Sequence, residues 1–220
     1  KAIEADAGNA QAYAWKVCTL GQAMFRGFSD RKMEEIFADA KQNIDKALEL
    51  NENDFECHRM LSAVYLSNHD YLLAEDHGRK AFNMVPNDPR VLSGYGEVLV
   101  RIGKVEKGLE LLNKAFELDP IPQGQSTSDN RIKDLILGYF FAEDFNKVVE
   151  LSFDIRVMDT RSLALILYSR SKLNQDIKVS SEYQSLKGEF KDTDWEQTID
   201  RFHIQDEEII KNLVVFMNTI

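Results

Sequence analysis

Apolar residues along most of the chain recur every three or four positions, which is the spacing of amphipathic helices. One such stretch, Leu92 to Leu99, follows Asp88-Pro89, a typical helix start in which the carboxylate caps free backbone N–H groups. Gly103 ends that stretch, and a second apolar stripe runs from about Val105 to Leu118. The pattern predicts pairs of helices joined by short turns, without strands.

The helix pair recurs along the chain with a period of 34 residues. Lys46-Ala47-Leu48 returns as Lys80-Ala81-Phe82 and again as Lys114-Ala115-Phe116, and Pro86 returns as Pro120. Neither helix of such a pair can bury its apolar stripe alone. We therefore expect successive pairs to stack on one another.

These residues resemble the tetratricopeptide repeat, a helix–turn–helix unit of 34 residues. The resemblance implies an all-α, right-handed α-α superhelix (a TPR solenoid) with irregular closing helices. We expect a single domain over residues 1–220 and a chain that is a fragment of something longer. Its predicted parts are two clean repeats at 55–88 and 89–122, degenerate repeats at 10–54, 129–159 and 160–190, and closing helices at 193–220. We also expect an insertion around Arg26 to Met33 and a polar loop after Pro120.

Charge and composition disfavour several classes of partner. Lys and Arg number 27 against 37 Asp and Glu, a net charge of −10 that repels nucleic acid and anionic lipid. The longest apolar run, Leu135 to Ala142, is far shorter than the ~20 residues that span a bilayer. The two cysteines, Cys18 and Cys57, are too few for a disulfide scaffold and suit a reducing, cytoplasmic location.

A closer resemblance involves the order of the units and the closing segment Phe190 to Trp195, followed by Arg201-Phe202. It is similar to the tetratricopeptide tail of bacterial class III adenylate/guanylate cyclase-like proteins. This implies a non-catalytic scaffold or protein-interaction module of a signalling protein, which binds a peptide or partner segment in a concave groove, and it suggests a homodimer. The alternatives are the similar tail of a transcription regulator and, in a different class, an all-helical enzyme with an unrecognised pocket.

No catalytic residue, cofactor or metal site is predicted. The sequence has no phosphate-binding glycine loop, no HExxH and no CxxC. His69 and His77 suit a solvated surface better than a metal site, and His58 is expected to pack inside its helix pair. Neither cysteine has a base at a convincing spacing, so both are expected to be inert thiols.

The resemblance implies that the first helix of each pair lines the concave groove. Arg90 and Arg101 would point to solvent there, within a basic stripe that attracts an acidic peptide. Phe140 and Phe141 would supply an apolar anchor, unless they pack against neighbouring elements instead. The basic stripe is Arg59, Arg90, Arg101, Lys133, Arg161 and Lys172, and its alternative is a merely solvated helix face. The candidate partner-binding residues are Arg59, Arg90, Glu97, Arg101, Lys133, Phe140, Phe141 and Tyr168.

Overall fold

The computed structural model describes residues 1–25, 30–121 and 129–220, and these form α-helices, one 3-10 turn and connecting turns, with no strand among them. The all-α prediction is therefore confirmed. Much of the expected insertion and most of the expected polar loop fall on residues 26–29 and 122–128, outside the described part. Within the described part, no helix is both long and apolar enough to cross a membrane.

The chain divides into two compact units, Lys1–Asn87 and Asp88–Ile220, called unit 1 and unit 2 below. The helices of unit 1 are α1 (Ala2–Ala5), α2 (Ala10–Phe25), α3 (Met33–Leu50), α4 (Phe55–Ser67) and α5 (Tyr71–Met84). Unit 2 begins with α6 (Pro89–Arg101), α7 (Val105–Leu118), α8 (Asn130–Phe141), α9 (Phe145–Ser152) and α10 (Thr160–Lys172). It continues with the 3-10 turn Ile177–Val179 and with α11 (Ser181–Lys187), α12 (Trp195–Asp200) and α13 (Glu207–Thr219).

The same tight turn ends helices α4, α6, α8 and α10. In each, a backbone N–H donates to the carbonyl five residues earlier, as Lys104 does to Leu99 at 2.8 Å. The residue before that donor has a positive φ, the left-handed conformation that commonly ends a helix. Gly103 holds this position after α6 with a φ of 83°, which explains the helix break predicted there. The corresponding residues of the other turns are His69, Glu143 and Asn174.

Aspartates start most of the helices. Asp54, Asp70 and Asp88 accept backbone N–H bonds at the beginnings of α4, α5 and α6. Such caps satisfy donors that a helix cannot pair internally. In the turns from α4 to α5 and from α8 to α9, a left-handed residue is followed at once by an aspartate cap, so these short turns fix one helix against the next.

The core of unit 2 includes the closing helices as well as the repeats. Trp195, Ile199 and Phe202 are buried in one apolar cluster with residues of α8 and α10. Leu213 and Met217 of α13 join the same cluster, and α13 packs against α10 and α12. The end of the chain is therefore an integral part of the packing of unit 2.

Candidate functional site

The predicted groove residue Arg101 lies inside unit 2, with only 5% of its surface exposed. Its Nε–H donates to the carbonyl of Phe202 at 2.9 Å, and its own carbonyl accepts the N–H of Gln205 at 3.0 Å. The expectation that Arg101 points to solvent is wrong, because the segment that connects α12 to α13 returns to the end of α6 and covers it.

Glu97 lies at the centre of a buried charge network on α6, α8 and α10. One carboxylate oxygen of Glu97 lies 2.8 Å from a guanidinium nitrogen of Arg101, and the other lies 3.3 Å from a guanidinium nitrogen of Arg161. Burial raises the pKa of Glu97, but the two guanidinium groups outweigh burial and hold it well below its usual range. Asp134 accepts the Ser93 hydroxyl at 2.6 Å, and burial together with the negative charge of Glu97 raises its pKa well above normal.

Two more cations of the expected stripe are matched by carboxylates in unit 2. Lys133 is 4% exposed, and its ammonium lies 2.8 Å from Asp159. Arg90 stays at the surface, where its guanidinium pairs with the helix cap Asp88 at 2.7 Å. The basic stripe therefore offers an acidic peptide few free charges in unit 2, and this removes the basis for expecting an acidic partner there.

Arg59 belongs to unit 1, whereas the other residues of the stripe belong to unit 2. Its Nε donates at 2.6 Å to the buried carboxylate of Glu56. The side chain borders an apolar crevice of about 200 Å³ between α2, α3 and α4, which Met60 and Ala63 also line. Its positive charge is thus compensated within its own helix.

The aromatic candidates do come together, in an open pocket of about 480 Å³ in unit 2. Phe140 is only 5% exposed, because the rings of Phe141, Phe145 and Tyr168 stand edge-on around it at 5.7 to 6.1 Å, so it packs against neighbouring elements, the alternative left open by the sequence. Phe141 and Tyr168 are half-buried and line the pocket beside it. We call this the aromatic pocket, lined by Phe140, Phe141, Glu143, Phe145, Tyr168, Lys172, Asp206, Glu208, Ile209 and Asn212.

No pattern in the sequence indicates the polar side of the aromatic pocket directly. Asp206, Glu208 and Asn212 belong to the start of α13, which reaches the pocket because Phe216 packs edge-on against Tyr168 at 5.3 Å. Helix spacing identifies which residues share one face, but it does not identify the helix that will meet that face. Asp206 also caps α13, since its carboxylate accepts the backbone N–H groups of Glu208 and Ile209.

The remaining candidate chemistry lies in unit 1. Cys57 is buried, and burial, followed by the nearby Asp54 carboxylate, raises the pKa of its thiol to about 12. His77, expected at the surface, is instead half-buried, because its ring stacks on His58 and Tyr65. Among the described residues, no three His, Cys, Asp or Glu side chains converge in a way that could hold a metal ion.

Comparison with known proteins gives the fold a context. No family model matches the chain, and no curated protein is significantly similar to it in sequence. A structure of MamA from Desulfovibrio magneticus RS-1 is 15% identical, with a TM-score of 0.58, over 84% of this chain and 97% of that one. A structure of MamA from strain AMB-1 is 13% identical, with a TM-score of 0.54, over 88% and 98%.

A variant of Thermobaculum terrenum O-GlcNAc transferase is 18% identical over 74% of this chain, with a TM-score of 0.47. This chain spans 27% of the length of that enzyme. The likeness to MamA shows that the chain has the fold of the tetratricopeptide-repeat proteins.

Proposed function

We propose that this chain is a non-catalytic protein-interaction module that holds a segment of a partner protein in the aromatic pocket of unit 2. The observation that carries the proposal is the pocket itself. Rings from α8, α9 and α10 form a preassembled apolar floor that is open to solvent. Large aromatic side chains in such pockets are the usual anchors of protein interfaces.

The fold supports this proposal in general terms. Stacked helix pairs, in which each repeat contacts only its neighbours, form extended surfaces, and repeat proteins use these surfaces for binding. Their fold alone assigns no partner. The pocket is therefore the specific argument, and it includes three of the residues selected from the sequence, namely Phe140, Phe141 and Tyr168.

The proposed site differs from a groove lined by cations. Arg101, Lys133 and Arg161 hold unit 2 together, and the Phe202–Gln205 segment covers Arg101. A partner would reach the pocket at the ends of α8 and α10 and the start of α13, where the lining residues Glu143, Glu208 and Asn212 are exposed.

The parent protein is a separate part of the proposal. The similarity of the closing segment to cyclase tails supports a bacterial, cytoplasmic signalling protein, with a transcription regulator as the alternative and self-association as a further expectation. Sequencing the full-length gene tests this. A gene with neither a cyclase nor a regulator domain would remove the signalling context without affecting the binding proposal.

Selection from a displayed library of random peptides tests the binding proposal. The variant Asn212→Trp places an indole at the mouth of the pocket, and Asn218→Trp places the same group on an exposed part of the same helix, away from it. We expect the chain and the Asn218→Trp variant to retain the same peptides, with the Asn212→Trp variant losing at least about tenfold in affinity. Equal retention by both variants would exclude the pocket as the binding site.

A further inference from the structure

We propose that the aromatic pocket recognises a cation, the lysine or arginine side chain of a basic, partly apolar segment of the partner protein. This inference rests on the proposed function and adds the chemistry of the ligand. The proposed partner segment is basic, whereas the sequence led to the expectation of an acidic one. Three features carry the inference: the charge at the mouth, the aromatic floor, and an ammonium group already placed on one of its rings.

The mouth of the pocket is acidic. Glu143, Asp206 and Glu208 supply three carboxylates to the lining, against the single ammonium of Lys172. Asp206 is partly neutralised, since it accepts the backbone N–H groups of Glu208 and Ile209 at 2.9 and 3.2 Å. Within the described residues, the carboxylates of Glu143 and Glu208 form no ion pair, so they remain available to a ligand.

Backbone geometry holds Glu143 at this mouth. It is the left-handed residue of the turn between α8 and α9, with a φ of 57°, and its N–H donates to the carbonyl of Phe140 at 3.1 Å. Glu208 is fixed from the other side, in the first turn of α13. Two independent elements thus bring a carboxylate to the same opening.

The floor suits the same ligand. Aromatic faces attract ammonium and guanidinium groups through the negative potential above the ring. The Lys172 ammonium lies 5.0 Å from the centre of the Tyr168 ring, so the pocket already places a cation on one of its rings. A long basic side chain could lay its methylene groups against Phe141 while its charged end meets the carboxylates, which is how lysine and arginine commonly pack.

An anionic ligand would meet the opposite situation. It would approach two free carboxylates and the negative faces of the rings, and only Lys172 would attract it. Because opposite charge steers partners and like charge excludes them, the mouth should discriminate between basic and acidic segments. High salt should weaken the preference, since these groups are exposed.

Three acetylated and amidated tripeptides test the inference: Lys-Leu-Lys, Glu-Leu-Glu, and the uncharged analogue with norleucine in place of both lysines. Binding is followed by NMR through the backbone amide signals of Phe141, Glu143 and Asn212. We expect the lysine peptide to bind more tightly than the norleucine peptide, and the glutamate peptide to be the weakest. The preference for lysine should shrink as salt is added.

Charge variants locate the effect. Glu143→Gln combined with Glu208→Gln should lower the affinity for the lysine peptide by about fivefold. Lys172→Met, which removes the competing cation, should raise the affinity for that peptide by about twofold. Glu189→Gln, which removes an exposed carboxylate that does not line the pocket, is the matched control and should change nothing.

The outcomes separate this inference from the proposed function. The inference of cation recognition is wrong if the norleucine peptide binds as tightly as the lysine peptide, or if the double glutamine variant binds the lysine peptide with unchanged affinity. In either case the proposal of an apolar anchor in the pocket still stands. If the lysine peptide causes no shifts at millimolar concentration, the inference is also wrong. The peptide selection with the Asn212→Trp variant decides independently whether the pocket binds protein segments at all.

Discussion

At the scale of single residues, His58 and His77 form an unusual pair in unit 1. Their Nδ1 atoms are 2.9 Å apart, and the Nε2 of His58 lies 3.1 Å from the carbonyl of Glu52. A carbonyl can only accept, so His58 carries its proton on Nε2 and accepts a bond from the Nδ1–H of His77. Two neutral rings satisfy this bond, whereas protonation of both rings would bring two N–H donors together at Nδ1.

We expect this pair to make unit 1 sensitive to acid. Burial, followed by the charges of His58 and Lys80, lowers the pKa of His77 from 6.5 to about 4, and burial also lowers the pKa of His58. As the pH falls below 6.5, the unfolded chain takes up protons that the folded chain resists, so stability should fall until about pH 4.

Urea denaturation of the chain and of the His77→Gln variant, at about pH 7.5 and about pH 5, measures this effect. The glutamine amide can still donate to His58 but does not titrate. We expect the chain to lose more stability than the variant on acidification, and equal losses would contradict the pairing.

The sequence could predict part of this pair. Helical spacing correctly placed His58 on the packed face of α4. It did not show that His77, 19 residues further on, would meet it, because the period fixes the face of each helix but not the pairs of side chains that touch across two helices.

At the scale of elements, α6 and α7 pack closely enough to require glycine at their crossing. A Cβ on Gly108 would lie 2.7 Å from Cγ2 of Val100 and 2.8 Å from the carbonyl oxygen of Gly96. One of these atoms belongs to the backbone, so the helices would have to separate. The structure gives α7 the bounds Val105–Leu118 that were predicted, since the apolar spacing and the break at Gly103 are local signals.

Gly108→Ala should therefore destabilise the chain by about 1–3 kcal/mol, the typical cost of overpacking. Gly21→Ala is the matched control, because a Cβ there would meet nothing within 4 Å. It should stabilise the chain by roughly 0.5–1 kcal/mol, since alanine favours helix. Thermal denaturation of both variants measures the contrast, and a Gly108→Ala variant as stable as the parent would refute the close crossing.

At the scale of the whole chain, the contact between α6 and the segment that connects α12 to α13 could be found only from the structure. The 34-residue period predicts stacking between neighbouring repeats. The Gln205 N–H instead donates to the carbonyl of Arg101, about a hundred residues earlier in unit 2. No repeated spacing encodes such a contact. For the same reason the sequence predicted solvent for Arg101 and missed the acidic mouth of the aromatic pocket.

Charge reversal at the two arginines of α6 is expected to change the stability of the chain by very different amounts. Arg101→Glu would place a buried carboxylate beside the half-buried Glu97 and break the bond to Phe202, so unit 2 should lose about 3–5 kcal/mol of stability. Arg90→Glu changes a surface pair at the start of the helix and should change stability by less than about 1 kcal/mol. Urea midpoints compare the two, and a fully stable Arg101→Glu variant would contradict the buried network.

Hydrogen–deuterium exchange of the chain with a library-selected peptide tests the central claim most directly. The account predicts slower exchange at the pocket, at residues 140–145 and 206–212, with the same peptide leaving exchange in the Asn212→Trp variant unchanged. Protection confined to unit 1, or to α7 and α11, would contradict the assignment of partner binding to the aromatic pocket.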